Sequence, residues 1–309
     1  MKLLKPNFWA KKISFFSILL WPLSIIYQFI SYVKILIIKE RIFKIPVICV
    51  GNIYLGGTGK TPLTLFLARV FEDQGKKTSI IKKFYPEHFD EHLMIKNYTN
   101  NLFLNKDRQA ALQSVEKNNF DLAILDDGFQ DWSIKKNFNI LCFNSNQLIG
   151  NGFTFPSGPL RERLSAIRRA DVVMINGSKN DFFERKISNI SKNVEIFYSK
   201  YEPINIKEFQ NKKIFAFAGI GSPDNFFKML LENNIDLQKK VAFPDHYELS
   251  KYEIEKIIKE ASEKKLVILT SEKDFYRLKK YNFKEIRYIK IRLKIINEKR
   301  FLEKINNSI

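Results

Sequence analysis

The stretch GNIYLGGTGKTP, residues 51–62, lies between the apolar run PVICV and the segment LTLFLARVF. The apolar run predicts a buried strand, and the segment after the stretch predicts a helix. Glycines in a turn at this position let backbone N–H groups face a phosphate, and the N-terminus of the following helix favours an anion. The stretch therefore predicts the strand–loop–helix unit of a phosphate-binding α/β fold.

The end of this stretch matches the Walker A pattern GxxxxGK[ST], in which the lysine contacts the terminal phosphates and the hydroxyl ligates magnesium. Gly59, Lys60 and Thr61 satisfy the pattern, whereas Tyr54 stands where its first glycine would be. The strand before the loop and the helix after it favour a nucleotide site despite this departure. The residues expected to contact the nucleotide are Gly56, Gly57, Thr58, Gly59, Lys60 and Thr61.

A second apolar run, AILDD at residues 123–127, ends in two acidic residues, as a Walker B strand does. Asp126 and Asp127 are expected to hold Mg²⁺, one directly and the other through water or by orienting the first. A glycine-rich turn with a chance GKT would not explain this acidic strand end. The alternative for the pair is a cap on the next turn.

The composition is that of a globular chain, with 309 residues, a net charge of +19 and 45% apolar residues. That length predicts two modules, and that apolar content excludes a disordered chain. Cys49 and Cys142 lie in apolar strand-like runs without a CxxC spacing, so neither a disulfide framework nor a zinc site is expected.

Residues 13–33 form an uncharged run of 21 residues, compared with the ~20 that cross a bilayer core. Basic residues flank the run on both sides, and it lacks the small-residue cleavage site of a signal peptide. We therefore predict an N-terminal membrane-anchoring helix. The residues that soften the run leave open a span, a hairpin or a helix lying in the interface; they are Pro22, Ser14, Ser17, Ser24 and Gln28. A helix buried in a soluble core is the alternative.

Much of the positive charge lies near the two ends of the chain. Residues 1–45 contain eight Lys or Arg and one Glu, and residues 279–309 contain ten Lys or Arg and three Glu. Beside an apolar anchor, this charge favours anionic lipid head groups or a phosphorylated substrate. The sequence has no basic motif interleaved with aromatic residues, so we expect no nucleic-acid partner. A solvated surface is the simpler alternative for the C-terminal lysines.

From residue 46, short apolar runs alternate with amphipathic segments, which predicts βαβ units and a parallel sheet. Gly75 is expected to close the first helix in a left-handed conformation. Residues 191–210 lack a helical period and are interpreted as a connecting ribbon. The predicted division is an anchor at residues 1–45, a core domain at 46–205 and a smaller C-terminal α/β domain at 206–309.

Six motifs taken together resemble the tetraacyldisaccharide 4′-kinase family, the lipid A 4′-kinases. They are GNIYLGGTGKTP (51–62), DDGFQ (126–130), GNGFTFPSGPLRE (150–162), FAGIGSP (217–223), FPDHY (243–247) and TSEKD (270–274). The resemblance extends, in order and with similar spacing, from the FW at residues 8 and 9 to residue 280. The family's loop generally lacks the leading glycine, as this chain does at Tyr54.

The resemblance implies a P-loop NTPase-like parallel-sheet domain with a smaller α/β domain. It implies a kinase at the cytoplasmic face of the bacterial inner membrane that moves the γ-phosphate of ATP to the 4′-hydroxyl of an acylated disaccharide 1-phosphate. Its cofactors would be ATP and Mg²⁺, and its partners the lipid substrate and the membrane surface, with no obligate protein partner. An interfacial anchor suits a substrate whose acyl chains stay in the bilayer.

The resemblance also assigns roles to single residues. Lys60 and Thr61 would hold ATP and magnesium, and Asp126 and Asp127 would complete the metal site. Lys60 and Asp127 are also counted among the catalytic residues.

Asp90, in FDEHL, resembles the aspartate of the family's GDEP-like segment, which acts with a histidine to activate the sugar hydroxyl. That histidine would be His246 in FPDHY. An Asp–His pair suits this role, because the carboxylate accepts the proton while the imidazole orients the carboxylate and tunes its pKa. His88 and His92 flank Asp90 and are the alternative partners.

Arg161 and Glu162, in GPLRE, are candidates for stabilising the transferred phosphate and for assisting magnesium. The alternative for Arg161 is an ordinary surface ion pair. Gln130 is expected to steady the DDGFQ turn, or to have no special role.

The chain departs from the family pattern in two places. Family members usually carry an SRGY-like stretch after the second strand, where this chain has IKKFYPEH at residues 81–88. This difference makes the placement of Asp90 the least constrained of the assignments. Ser157 and Arg163 stand in a segment that usually reads with alanine and proline.

Two other functions compete with a lipid kinase. A membrane-associated P-loop NTPase acting as a switch or accessory to a partner would need a water-positioning residue and moving loops, but no base aimed at a sugar hydroxyl. A nucleic-acid-dependent NTPase is disfavoured by the uncharged run at residues 13–33.

Overall fold

The computed structural model describes residues 6–86, 89–244 and 247–309, with the backbone alone at residues 89 and 90. Its contacts group the chain into two compact units. The first comprises Met1–Phe84, Asn101–Lys200 and Leu293–Ile309, and the second comprises Tyr85–Asn100 and Tyr201–Arg292.

Strands and helices alternate along most of the described chain. The strands are β1 (Val47–Gly51), β2 (Thr78–Lys83), β3 (Leu102–Asn105), β4 (Leu122–Asp126), β5 (Phe138–Asn144), β6 (Val172–Asn176), β7 (Glu195–Pro203), β8 (Lys213–Ala218), β9 (Asp236–Ala242), β10 (Val267–Ser271), β11 (Ile286–Ile289) and β12 (Ile291–Ile295). The helices are α1 (Phe15–Leu19), α2 (Trp21–Ile37), α3 (Lys60–Asp73), α4 (Phe89–Tyr98), α5 (Arg108–Lys117), α6 (Asp181–Ile190), α7 (Pro223–Glu232), α8 (Lys251–Glu263), α9 (Glu272–Leu278) and α10 (Glu298–Asn306).

The first unit is built on an eight-stranded sheet of order β12-β7-β6-β5-β1-β4-β2-β3. The seven strands from β7 to β3 in this order pair in parallel, which confirms the predicted parallel sheet. Strand β1 is buried along its whole length, between β4 and β5. Its register places Val50 opposite Asp126, so the end of β1 and the acidic end of β4 lie side by side.

The strand–loop–helix unit has the predicted form. Helix α3 buries Leu63, Leu67 and Phe71, which lie one turn apart on the face turned to the sheet. Gly75 follows the helix with φ +83°, a left-handed conformation that favours glycine, as predicted.

The interpretation of residues 191–210 as a connecting ribbon is wrong for its central part. Residues 195–203 form β7, which pairs in parallel with β6 and lies next to β12 in the sheet. Phe301 of α10 packs on Phe197 of β7, with ring centroids 5.3 Å apart. This packing explains why the C-terminal residues group with the first unit rather than with residues 206–292.

The second unit contains a four-stranded sheet of order β11-β10-β8-β9, with all neighbouring strands parallel. Helix α4 belongs to this unit, although it lies between β2 and β3 in the sequence. The Tyr98 hydroxyl donates a hydrogen bond to Glu272 at 2.8 Å, and Lys273 pairs with Glu91 at 2.9 Å. Residues 85–100 and 293–309 therefore group differently from the predicted division.

Helices α1 and α2 expose large apolar side chains, including Phe15 at 74% and Phe29 at 65%. This exposure contradicts the alternative of a helix buried in a soluble core. Within residues 6–86, 89–244 and 247–309, no helix combines the length and the apolar content needed to span a membrane.

Candidate active site

The phosphate loop, residues 51–59, begins at the last residue of β1 and leads into α3. Gly51 has no room for a side chain, because a Cβ there would lie 2.4 Å from Cβ of Phe129 in the DDGFQ segment. Gly59 precedes α3 with φ 90°, which a residue with a side chain rarely adopts. These two glycines serve different needs: Gly51 permits a close approach of two chain segments, and Gly59 permits the turn into the helix.

Asn52 holds the phosphate loop in shape. Its side-chain amide donates hydrogen bonds to the Gly56 carbonyl at 3.1 Å and to Thr58 Oγ1 at 3.0 Å. Asn52 is fully buried and Thr58 nearly so, so this bracing is shielded from water. Sequence reasoning did not single out Asn52, because an asparagine after a strand has many other uses.

Thr61 and Asp126 meet as the sequence predicts. Thr61, in the first turn of α3, donates its hydroxyl hydrogen to Oδ2 of Asp126 at 3.0 Å. Asp126 is fully buried, and its other oxygen, Oδ1, has no hydrogen-bond partner among the described residues. A buried carboxylate oxygen without a partner is costly, so this atom fits a cation that would bind beside Thr61.

Lys82, near the end of β2, is a site residue that sequence reasoning missed. Its ammonium lies 2.6 Å from Oδ2 of Asp126, and its side chain is only 8% exposed. The pairing follows from the parallel register of β2 and β4, which places Lys82 opposite Asp126. The departure from the SRGY-like pattern at IKKF was the signal that could have revealed it.

Asp127 lies one residue beyond β4 and holds two cationic side chains. Arg161 donates to both of its carboxylate oxygens, at 3.0 and 3.1 Å, and the Lys60 ammonium lies 3.7 Å away. Burial raises the pKa of Asp127, but the positive charges of Lys60, Arg161 and Lys82 outweigh this effect and hold the pKa well below its ordinary value. The carboxylate therefore stays ionised at neutral pH.

The backbone also contributes to the position of Asp127. The residue has a left-handed φ of 61°, and its N–H donates to the Val50 carbonyl at 2.9 Å. Arg108 donates to the Asp127 carbonyl at 2.7 Å and pairs with Asp131 at 3.2 Å. Arg108, another residue that sequence reasoning missed, thus holds the turn that follows the acidic strand end.

Gln130 joins the phosphate loop to the GPLRE segment. Its amide nitrogen donates to the Asn52 carbonyl at 2.9 Å and to Glu162 at 3.0 Å, and its oxygen accepts from Arg161 at 3.3 Å. Glu162 also pairs with Arg169, whose guanidinium lies 4.1 Å from the ring centre of Trp132. Arg161 and Glu162 are therefore part of one connected network beside Asp127.

The two residues expected to activate an acceptor hydroxyl, Asp90 and His246, have no described side chain. Asp90 is described by its backbone alone, in the first turn of α4, and His246 and His88 lie outside the described residues. His92 is buried within α4 in the second unit. The assignment of Asp90 and His246 thus stays a prediction.

Comparison with known proteins supports one family. The family described as tetraacyldisaccharide-1-P 4′-kinase, LpxK, matches residues 16–309. The tetraacyldisaccharide 4′-kinase of Pelagibacter ubique is 42% identical over 99% of this chain and 98% of its own length. That of Allorhizobium ampelinum is 31% identical over 90% and 86%, respectively.

The same family has a solved structure of similar fold. The crystal structure of LpxK from Aquifex aeolicus in complex with ATP covers 94% of this chain and 99% of its own, with a TM-score of 0.72 at 23% identity. The similarity shows that the two chains share an α/β fold with a large, mostly parallel sheet.

Proposed function

Because the chain belongs to the tetraacyldisaccharide 4′-kinase family, and so is a kinase of lipid A biosynthesis, we propose that the phosphate loop and the acidic end of β4 carry out the transfer. The observation that carries this proposal is the contact of Thr61 with Asp126 directly behind the loop. The enzyme would transfer the γ-phosphate of ATP to the 4′-hydroxyl of an acylated disaccharide 1-phosphate.

The nucleotide would be held by the loop backbone and Lys60. The ATP bound in the Aquifex LpxK crystal supports this ligand. Lys60 opens α3 and carries a side chain that is 13% exposed, so its charge acts in a partly desolvated setting. The helix N-terminus adds its own positive end to that of the lysine.

Mg²⁺ fits the residues beside the loop. The described residues contain no cluster of three or more His, Cys, Asp or Glu side chains that could hold a metal. Asp126 and the Thr61 hydroxyl would therefore share the ion with oxygens of the nucleotide and water, as is usual for this cation. When bound, magnesium neutralises the charge of the terminal phosphates. Asp127 and Glu162 would assist it, and both are engaged by arginines in the structure.

Arg161 would stabilise the phosphoryl group during transfer. Its guanidinium is kept beside the loop by Asp127 and Gln130, so its charge is in place before the nucleotide arrives. Positive charges fixed in this way lower the barrier to transfer without reorganising. Asp90, with His246, would accept the proton of the attacking sugar hydroxyl.

The N-terminal helices would bring this site to the lipid. Their exposed phenylalanines, with the basic residues that flank them, suit the interface of an anionic membrane. We place the enzyme at the cytoplasmic face of the bacterial inner membrane, where ATP and a substrate with acyl chains in the bilayer are both accessible.

Transfer of label from γ-³²P-ATP to an extracted tetraacyldisaccharide 1-phosphate tests the proposal. We expect label in the lipid, dependent on magnesium. The membrane-associated NTPase switch predicts instead phosphate release to water that depends on an added protein. Label confined to inorganic phosphate in the presence of the lipid would overturn the kinase assignment.

Substitution of two exposed phenylalanines tests the anchor. We expect Phe15→Ser with Phe29→Ser to lower partitioning onto anionic vesicles on the order of 10- to 100-fold, because each ring would lose its burial in the interface. ATP affinity should not change. Vesicle sedimentation and nucleotide titration measure the two effects, and Phe182→Ser, an exposed phenylalanine of α6, is the control. Unchanged sedimentation of the double variant would exclude these rings from the membrane contact.

The buried pair of Lys82 and Asp126 predicts a nucleotide-dependent stability effect. We expect Lys82→Met to lower the free energy of unfolding by about 3 kcal/mol without ligand, because it leaves a buried carboxylate uncompensated. Magnesium and ATP should reduce this difference, since the metal would supply the missing charge. Chemical denaturation with and without ligand measures it, and Lys83→Met is the control. Equal loss under both conditions would argue against metal at Asp126.

A further inference from the structure

Three polar side chains of the apolar N-terminal helices, those of Ser17, Ser24 and Gln28, contact one loop of the first unit. Ser17 and Ser24 are buried, at 0% and 1% exposure, although apolar residues around them are exposed. We call the segment that they contact, residues 150–160, the docking loop. A helix that turns its serines inward and its aromatic side chains outward is adapted to hold a polar partner on one side.

Ser24 lies at the centre of this contact. Its hydroxyl donates to the Thr154 carbonyl at 2.9 Å, and it accepts from the Ser157 backbone N–H at 3.0 Å. The hydroxyl oxygens of Ser24 and Ser157 are 2.9 Å apart. Ser24, Thr154 and Ser157 are all buried, so loss of one group would leave the others without partners.

Gln28 makes the second contact, one turn further along α2. Its amide nitrogen donates to Thr154 Oγ1 at 2.6 Å, and its oxygen accepts from Arg163. Ser157 and Arg163 thus both contact α2, the first through Ser24 and the second through Gln28.

The other end of the docking loop is joined to the phosphate loop. The Leu55 N–H donates to the Pro159 carbonyl at 2.8 Å, and the Arg161 N–H donates to the Ile53 carbonyl at 2.7 Å. Leu160, between Pro159 and Arg161, is fully buried and forms an isolated antiparallel β-bridge with Tyr54. The backbone of Arg161 is therefore fixed by the phosphate loop on one side and by the docking loop on the other.

Only four positions separate Ser157, which contacts α2, from Arg161, which contacts Asp127. Gly158 lies in this span without space for a side chain, since a Cβ there would be 2.2 Å from Oδ1 of Asn151. Asn151 in turn donates to Ser17 at 3.1 Å and to the Ser157 carbonyl at 2.9 Å. A displacement of α2 would therefore reach Arg161 through a short, tightly packed segment.

We propose that Ser24 and Gln28 are positioning residues for phosphate transfer, acting through the docking loop on Arg161. The inference rests on the proposed function, because it assigns to Arg161 the stabilisation of the transferred phosphate. The N-terminal helices then have a second role besides membrane contact: they hold the guanidinium at the distance that the transfer requires. A shift of a catalytic group by about 1 Å can lower a rate as much as 100-fold.

A double-mutant cycle in detergent, away from any vesicle, tests this role. We expect Ser24→Ala to lower kcat for transfer to the dispersed lipid about tenfold while leaving KM for ATP unchanged. In the Arg161→Ala background the same substitution should change kcat less than about twofold, because its target is gone. Ser24→Thr, which keeps the hydroxyl, should recover most of the rate.

Ser31→Ala is the matched control, since Ser31 lies on the same helix and hydrogen-bonds to the Tyr27 carbonyl within it. Its kcat should equal that of the wild type. Equal losses from Ser24→Ala in both backgrounds would overturn the inference, as would a loss seen only in thermal unfolding or vesicle binding. If the wild type itself transferred no label to lipid, the proposed function would fail instead.

Discussion

Lys60→Ala is expected to lower the rate of phosphate transfer by about 10³-fold, through the loss of a fixed positive charge at the terminal phosphates. The structure places this ammonium at the start of α3, 3.7 Å from Asp127 and largely shielded from water. Its removal leaves the phosphate loop intact, because Asn52 and Gly59 rather than Lys60 set the loop's shape. The measurement is label transfer to the lipid under saturating ATP.

Membrane association should survive this substitution, since Lys60 is largely shielded from water beside Asp127 and is not among the exposed apolar side chains of α1 and α2. Vesicle sedimentation checks this separation. Lys117→Ala, at the exposed end of α5, is the control for the loss of one positive charge. A Lys60→Ala enzyme that retained a tenth of the wild-type rate would show that this lysine does not carry the transfer.

The central part of the fold could be predicted because its signals are local. An apolar run, a glycine-rich turn and a periodic segment follow one another within residues 46–75, and each restricts the backbone by itself. The acidic end of β4 could be predicted for the same reason. The meeting of Thr61 with Asp126 then follows from parallel pairing, which aligns the carboxyl ends of neighbouring strands.

The return of the chain to the first unit could not be predicted in this way. Strand β7 has no strict alternation of apolar and polar residues, and its burial is irregular along its length. Besides β6, it lies next to β12, which is almost a hundred residues later in the sequence and carries no local mark of its partner. Which distant strands pair in this way depends on how their side chains pack in the complete fold, not on the sequence of either strand alone.

Lys82 and Arg108 could not be predicted as site residues for the same physical reason. Lys82 lies near the end of β2, where a lysine would ordinarily indicate a solvated strand end, and its partner Asp126 lies 44 positions away in the sequence. Arg108 binds the Asp127 carbonyl from a helix whose sequence shows only an amphipathic period. A charged residue is interpretable as part of a site only when its counter-charge is known, and register supplies that information.

The N-terminal segment shows how a pattern can be interpreted too narrowly. Its serines and Gln28 suggested a softened apolar helix, with its depth in the membrane left open. In the structure Ser17, Ser24 and Gln28 form the face that holds the docking loop. The polar residues of this segment are thus turned toward protein, and the exposed apolar residues are the side that we propose contacts lipid.

Asp127→Asn is expected to reduce transfer about as strongly as Lys60→Ala, on the order of 10³-fold. The carboxylate orients Arg161 through two hydrogen bonds and balances the charge of Lys60. The amide keeps the size of the side chain but offers one acceptor in place of two and carries no charge. Asp73→Asn is the control, since that aspartate forms an exposed ion pair with Arg69 on α3. A variant with near-normal kcat would mean that Arg161 needs no such partner.

The same substitution should have an effect on stability that depends on pH. The pKa of Asp127 is lower in the folded state than its ordinary value, so the folded state favours the ionised form. The resulting stabilisation is present above the unfolded pKa of about 4 and is lost as the pH falls through the lower folded pKa. We therefore expect the difference in unfolding free energy between the wild type and Asp127→Asn to stay constant from pH 7 to 5 and to shrink below pH 4. Urea denaturation across this range measures it, and a difference that grew on acidification would show that the cations around Asp127 do not stabilise its charge.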